Sequence, residues 1–200
     1  MIRENTRSDG EIMTSAMTVA DYLLAHQGDV PGERITAKKL QKLCYYAQAM
    51  SLAMAGKPLF QEQIQAWDQG PVVRPLWERF KDYQYHDLPV PTAAPDLPDE
   101  VRQILDLTLA VYGAQTATEL SDMTHVADGP WSQATRNATI SNALLREHYG
   151  PRLRAIAKPG SPRPINKATV RAKVFRDAEA VARYERGRLD FEAGNYSNSY

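Results

Sequence analysis

Cysteine is almost absent from this 200-residue chain: Cys44 stands alone, which excludes an internal disulfide and suits a reducing cytoplasm. It lies between Leu43 and Tyr45 on a helical stretch, so a packed thiol is expected rather than a reactive one. No run reaches the ~18 apolar residues of a membrane span, and Met1–Gly10 lacks the apolar centre of a signal peptide. The expectation is a cytoplasmic protein with no membrane partner. The glycines are scattered singly, so no Gly-rich loop cradles phosphate. Histidines number four, and His26, His86 and His148 show no ligand spacing. Zinc takes three or four ligands, mostly His or Cys, so neither a metal nor another cofactor is expected.

Net charge is also lacking, but the zero total hides an asymmetry. Residues 1–150 carry 13 Lys/Arg against 19 Asp/Glu, whereas residues 151–200 carry 11 against 5. An acidic body with a basic tail offers two surfaces of opposite sign. Arg152, Arg154, Lys158, Arg163, Lys167, Arg171, Lys173 and Arg176 would meet phosphates without base specificity. The acidic body opposes a duplex and no aromatics interleave, so nucleic acid is not the expected partner.

What is present is helical period broken by proline and glycine. Residues 1–16 show no period and are expected to form a flexible leader. The fold is expected to begin at Met17, with Thr18 as N-cap of a helix reaching about His26. Gly28-Asp-Val-Pro-Gly32 ends that helix. Thr36 caps the next, in which Leu40, Leu43, Ala47, Met50 and Met54 share one face and Lys38, Lys39, Lys42 and Gln48 lie off it. Gly56 stops it. Leu59-Phe60 and Ile64-Gln-Ala-Trp67 fit a small hairpin or strand–turn–strand, punctuated by Gly70-Pro71. Pro71 and Pro75 fit the start of a helix presenting Val72, Val73, Leu76, Trp77 and Phe80.

Prolines 89, 91, 95 and 98 make Leu88–Pro98 a surface loop. Asp99–Tyr112 returns to helical period up to Gly113. Thr116 or Thr118 caps a further helix through Met123. Asp128-Gly-Pro-Trp131 is a second Gly-Pro turn with a tryptophan, and Ser141–His148 forms a short helix closed by Gly150-Pro151. Pro159–Pro164 reads as a linker, and Asn166–Arg188 as a charged helix with a thin apolar stripe. The expected class is mainly α with a small β element: a compact helical domain (17–155), a Pro-rich linker (156–165) and a basic C-terminal helix and tail (166–200).

Few residues invite a chemical reading. His125 sits near Ser121, Asp122, Thr124 and Asp128, but a Ser/His/Asp site needs convergence in space and an activated serine. Ser121 lacks the strained Gly-x-Ser-x-Gly elbow. His125 is expected instead to cap or brace the Asp128-Gly129-Pro130 turn, and Asp68 to bond backbone amides at its own turn. Trp67, Trp77 and Trp131 are either core or, being beside turns, interface anchors. No catalytic set is assigned.

The series Ile35-Thr36, Lys39-Leu-Gln-Lys-Leu43, Tyr46-Ala-Gln48, Gly56-Lys-Pro-Leu-Phe60, Ala66-Trp67, Gly70-Pro-Val-Val73 and Phe80-Lys81 resembles the Panacea domain. This is the SocA-like antitoxin domain of bacterial and phage toxin–antitoxin systems. Asp122, Thr124-His125 and Asp128-Gly-Pro-Trp131 are similar to that family's second motif, and the match covers about residues 17–150. The resemblance implies a mostly helical domain without enzymatic activity that neutralises a cognate toxin by direct contact. It also implies an alternative, a proteolytic adaptor delivering the toxin to a cytoplasmic protease such as ClpXP. The contact surface is expected around Trp67, Asp68, Gln69, Gly70, Pro71, Val72 and Trp77, together with His125, Asp128, Gly129, Pro130 and Trp131. The basic tail would be a second clamp on the toxin.

Overall fold

The computed structural model describes residues 14–29 and 34–154. The leader before Thr14, the linker at 156–165 and the helix expected at 166–200 lie outside the described residues. Among those described, the chain is mainly helical, with seven α-helices and one two-stranded antiparallel sheet.

The fold begins earlier than Met17. Helix α1 spans Ala16–Ala25, and its N-cap is Ser15, not Thr18. Ser15 Oγ accepts from the Thr18 amide at 3.0 Å, and Glu62 accepts from the Ala16 amide at 3.0 Å. Two orphan donors of the first turn are thereby satisfied. Thr14 is already tied down, its amide donating to the Leu59 carbonyl at 2.8 Å.

Helix α2, Ala37–Met54, starts at the expected cap, Thr36. It does not present one apolar face and one wet face. Every residue from Lys39 to Ala53 is buried, including Lys39, Gln41, Lys42 and Gln48, while Met54 on the predicted stripe is exposed. Neighbours on every side explain this: α1, α3 (Arg74–Phe80), α4 (Asp99–Tyr112), α5 (Ala117–Thr124), α7 (Asn142–Arg154) and the strand Gly70–Val73 all pack on α2. Its buried polar groups must then find partners inside. Gln41 accepts from the Val73 amide at 2.8 Å and donates to the Val73 carbonyl at 3.3 Å. Two turns on, Gln48 accepts from the Leu59 and Phe60 amides and donates to the Phe60 carbonyl. Each side-chain amide replaces the backbone partner that a neighbouring strand would supply.

Aromatic packing closes the other side. Tyr46 stacks on Tyr112 at 4.1 Å, and Tyr45 and Tyr46 both meet Tyr149 edge-on at 5.9 Å. Such pairs add about 0.5–1.5 kcal/mol each beyond their burial. Burial holds the Tyr45 and Tyr46 phenols well above their ordinary range, so they stay neutral. Cys44 is wholly buried, as expected, and burial pushes its thiol up as well.

Strand β1 (Ile64–Trp67) pairs with β2 (Gly70–Val73) in the register Ile64 to Val73 and Trp67 to Gly70. Leu59-Phe60 is not a hairpin strand; Phe60 makes only an isolated bridge with Thr14. Pro71, Val72 and Val73 belong to β2 rather than to a helix. Pro71 is tolerated there because its partner Ala66 turns its backbone groups the other way, to Ala138 at 2.9 Å and Asn137 at 2.7 Å. It therefore faces a position with no ladder bond to lose.

Helix α3 runs Arg74–Phe80 with Pro75 in its first turn, and a 3-10 turn follows at Lys81–Tyr83. The Pro-rich stretch is irregular, anchored by buried Leu88 and Leu97. Helix α4 spans Asp99–Tyr112, as the periodicity predicts. Helix α5, Ala117–Thr124, opens on a capping box of Thr116 and Glu119, and α6 is one turn, Pro130–Gln133. Helix α7 spans Asn142–Arg154 and is not ended by Gly150-Pro151. Tyr149, Gly150 and Leu153 are buried, and that packing overrides the local breaker signal.

Candidate partner-binding surface

The two Gly-Pro motifs, about 60 residues apart in sequence, meet in space. The link is a hydrogen bond from Trp131 Nε1 to the Trp67 carbonyl, 2.8 Å. His125, C-cap of α5, stands edge-on to the Trp131 ring at 4.0 Å. It thus braces the second motif through Trp131 rather than through a bond to Asp128. Gly129 and Pro130 are buried and Asp128 is exposed. A Cβ on Gly129 would stand 2.7 Å from Val126 Cγ2, so any side chain there would force Val126 to shift.

The first motif is held from beneath. Lys42 Nζ donates to the Gln69 carbonyl at 2.8 Å and the Pro71 carbonyl at 3.2 Å. Ser121 Oγ also donates to Gln69 O, at 3.2 Å. Gly70 has a φ of 101°, in the left-handed region, and a Cβ there would come within 2.8 Å of Lys42 Nζ and 3.1 Å of Thr124 Oγ1. Glycine is required both by backbone and by space. Burial, and then the Lys38 charge, push the Lys42 ammonium down to about 7. Burial, followed by Lys42 and Lys38, also lowers the His125 imidazole.

Above this turn a groove of about 400 Å³ opens between α2, the hairpin and α3. Trp67, Asp68, Gln69 and Val72 line its hairpin side, and Trp77 lines the α3 side. Five of the expected contact residues therefore share one hollow. Gly70 and Pro71 are buried under it, and the His125–Trp131 group supports it from the second motif. The Trp67 and Trp77 rings meet edge-on at 5.4 Å, and Trp77 is 38% exposed. Asp68 does not bond backbone amides; it pairs with Arg136 at the surface.

Sequence reasoning missed Lys38, Gln41, Lys42, Lys81, Gln84 and Asn137, which also line the groove. Lys38, Gln41 and Lys42 do follow a helical spacing of three or four, a usable signal once α2 is known to be central. Among the described residues, Gln84 and Asn137 are the non-glycine residues with positive φ, 51° and 61°. Such backbones cost about 1–3 kcal/mol each and gather at functional sites. Among the described residues no three of His, Cys, Asp or Glu gather to hold a metal ion, and no helix is long and apolar enough to cross a membrane.

The described residues thus form a mainly helical body with a small hairpin, and a hollow opens over the Gly70-Pro71 turn. Residues 40–132 match the family model described as antitoxin SocA-like, Panacea domain. That span includes both Gly-Pro motifs and Trp77 but leaves out α1, Lys38, Asn137 and α7. No curated protein and no solved structure matches the chain.

Proposed function

We propose that this chain is an antitoxin that neutralises a cognate toxin protein by covering it, with the hairpin, the adjoining groove and the Asp128–Trp131 corner as the docking face. The observation carrying this reading is the meeting of the two motifs inside the family-matched span. They form a braced corner, and the Ser121 hydroxyl, which a hydrolytic site would need as nucleophile, is committed to the Gln69 carbonyl. A stable complex of this kind buries about 1,200–2,000 Å², more than the groove alone supplies, so the surrounding rim takes part.

Co-expression with the neighbouring reading frame tests the proposal. Growth arrest caused by that frame is expected to be relieved, and the two products to co-elute on size exclusion. Persistent arrest with no complex rejects it. The toxin's half-life separates the two modes of action: masking leaves it unchanged or longer, whereas delivery to a protease shortens it.

A further inference from the structure

The groove beside Trp77 has the opposite charge to the body around it. Residues 1–150 carry an excess of Asp/Glu, yet the hollow presents Lys38, Lys42 and Lys81 against a single carboxylate, Asp68. Asp68 is already engaged by Arg136, and Lys81 by Glu78 at 3.3 Å. Lys38, exposed at the mouth, makes no direct ion pair among the described residues, and the one carboxylate that feels its charge, Asp122, lies outside the groove lining. Lys42, at the floor, has only carbonyl oxygens as hydrogen-bond partners. Beside these two ammonium groups stand the Trp67–Trp77 pair and Val72, an apolar wall. The volume is at the small end for ligand sites, enough for an anchoring segment rather than a whole helix.

We propose that this groove seats an acidic segment of the partner polypeptide, with a carboxylate received by Lys38 at the mouth, above the buried Lys42, and an adjoining apolar or aromatic side chain packed on Trp77. The identity of that partner as a toxin rests on the antitoxin reading; the chemistry of the segment rests on the groove. The chain's own tail is the wrong occupant, since residues 151–200 carry 11 Lys/Arg against 5 Asp/Glu. A nucleic acid is disfavoured because a polyanion meets the field of the whole acidic body, whereas a lone carboxylate meets the local one. Charge complementarity at such a site sets both the choice of partner and the rate of encounter. An anion near Lys42 favours the protonated form that burial and Lys38 disfavour. Lys38 and His125 are the titratable groups that act on it or feel it there.

Selection of a displayed heptapeptide library on the full chain provides the test. The expected enrichment is Asp or Glu next to Phe, Leu or Trp. A fluorescein-labelled enriched peptide should bind at least about tenfold more weakly to Lys38→Glu and to Trp77→Ala. Lys38 is exposed, so the Lys38→Glu midpoint should hold; Trp77→Ala gives up the edge-on contact with Trp67, so its midpoint falls and its binding is measured well below that midpoint. Enrichment of basic sequences, no enrichment, or binding indifferent to both substitutions overturns the proposal. So does tighter, Lys38-dependent binding of an oligothymidine probe. In the growth assay the two readings part company. If the wild-type chain gives no relief, the antitoxin reading falls; if wild type and the Lys38→Glu/Trp77→Ala double variant relieve arrest equally, only the anchor falls.

Discussion

Lys42 joins stability to the floor of the candidate groove through one nitrogen. Its ammonium is held in the fold at about 7 against an ordinary 10.5, so between those values the unfolded chain binds more protons than the folded one. Stability from this group therefore rises with pH across that window; the burden of the buried charge is full below about pH 7 and gone above about 10.5. The carbonyls of Gln69 and Pro71 offset part of that burden. Replacing Lys42 with Met removes both the charge and the tie. The stability difference, wild type minus variant, should then shift in favour of wild type by about 2–3 kcal/mol from about pH 6 to about pH 9. Urea unfolding at the two pH values measures it, and a flat difference would mean the carbonyls keep the ammonium charged. None of this was legible from the residue itself. Lysine at a helical position is ordinarily a solvated group, and only the crowding around α2 makes Lys42 a floor.

At the scale of elements, helix α2 works as a strand substitute as well as a core helix. Gln48, fully buried, serves two amides and one carbonyl of Leu59-Phe60. Gln48→Leu keeps the volume and orphans these groups, at about 1–3 kcal/mol for each left unsatisfied. The expected outcome is a loss of about 3 kcal/mol or more in denaturant unfolding; a loss under about 1 kcal/mol would show that the 59–60 segment rearranges freely. Elements with strong local signals were readable: the Thr36 cap and the 99–112 helix rest on short-range chemistry, whereas the cap of α5 stayed open between Thr116 and Thr118 until the Thr116–Glu119 capping box decided it. The hairpin was only half readable, because four-residue strands carry too little alternation to fix register. Pro71 also imitates a helix start until the Ala66 backbone is seen to face Asn137 and Ala138.

On the scale of the whole molecule, α7 is the last element of the packed body among the described residues. Its buried Tyr149 and Leu153 lie beyond the Gly150-Pro151 breaker or beside it. A chain ending at Lys158 should keep its thermal midpoint. One ending at Glu147 loses both buried side chains, about 3 kcal/mol or more, and should melt far lower. A drop in the first truncation would reveal that residues 159–200 add packing of their own. The candidate site spreads over this same scale. Its walls come from α2, the hairpin, α3 and Asn137, segments as much as 100 residues apart. Motif reading could find the hairpin and the Gly-Pro corners, which are local, but not the lysines that tertiary packing brings beneath them.

The sealing of α2 has a consequence for how such a scaffold can change its clientele. The groups that fasten the turn point inward, while Lys38, Trp77, Gln84 and Asn137 stand on the rim. Architecture and taste are thus written in different side chains, and the mouth can be recut for another guest while the keel stays untouched.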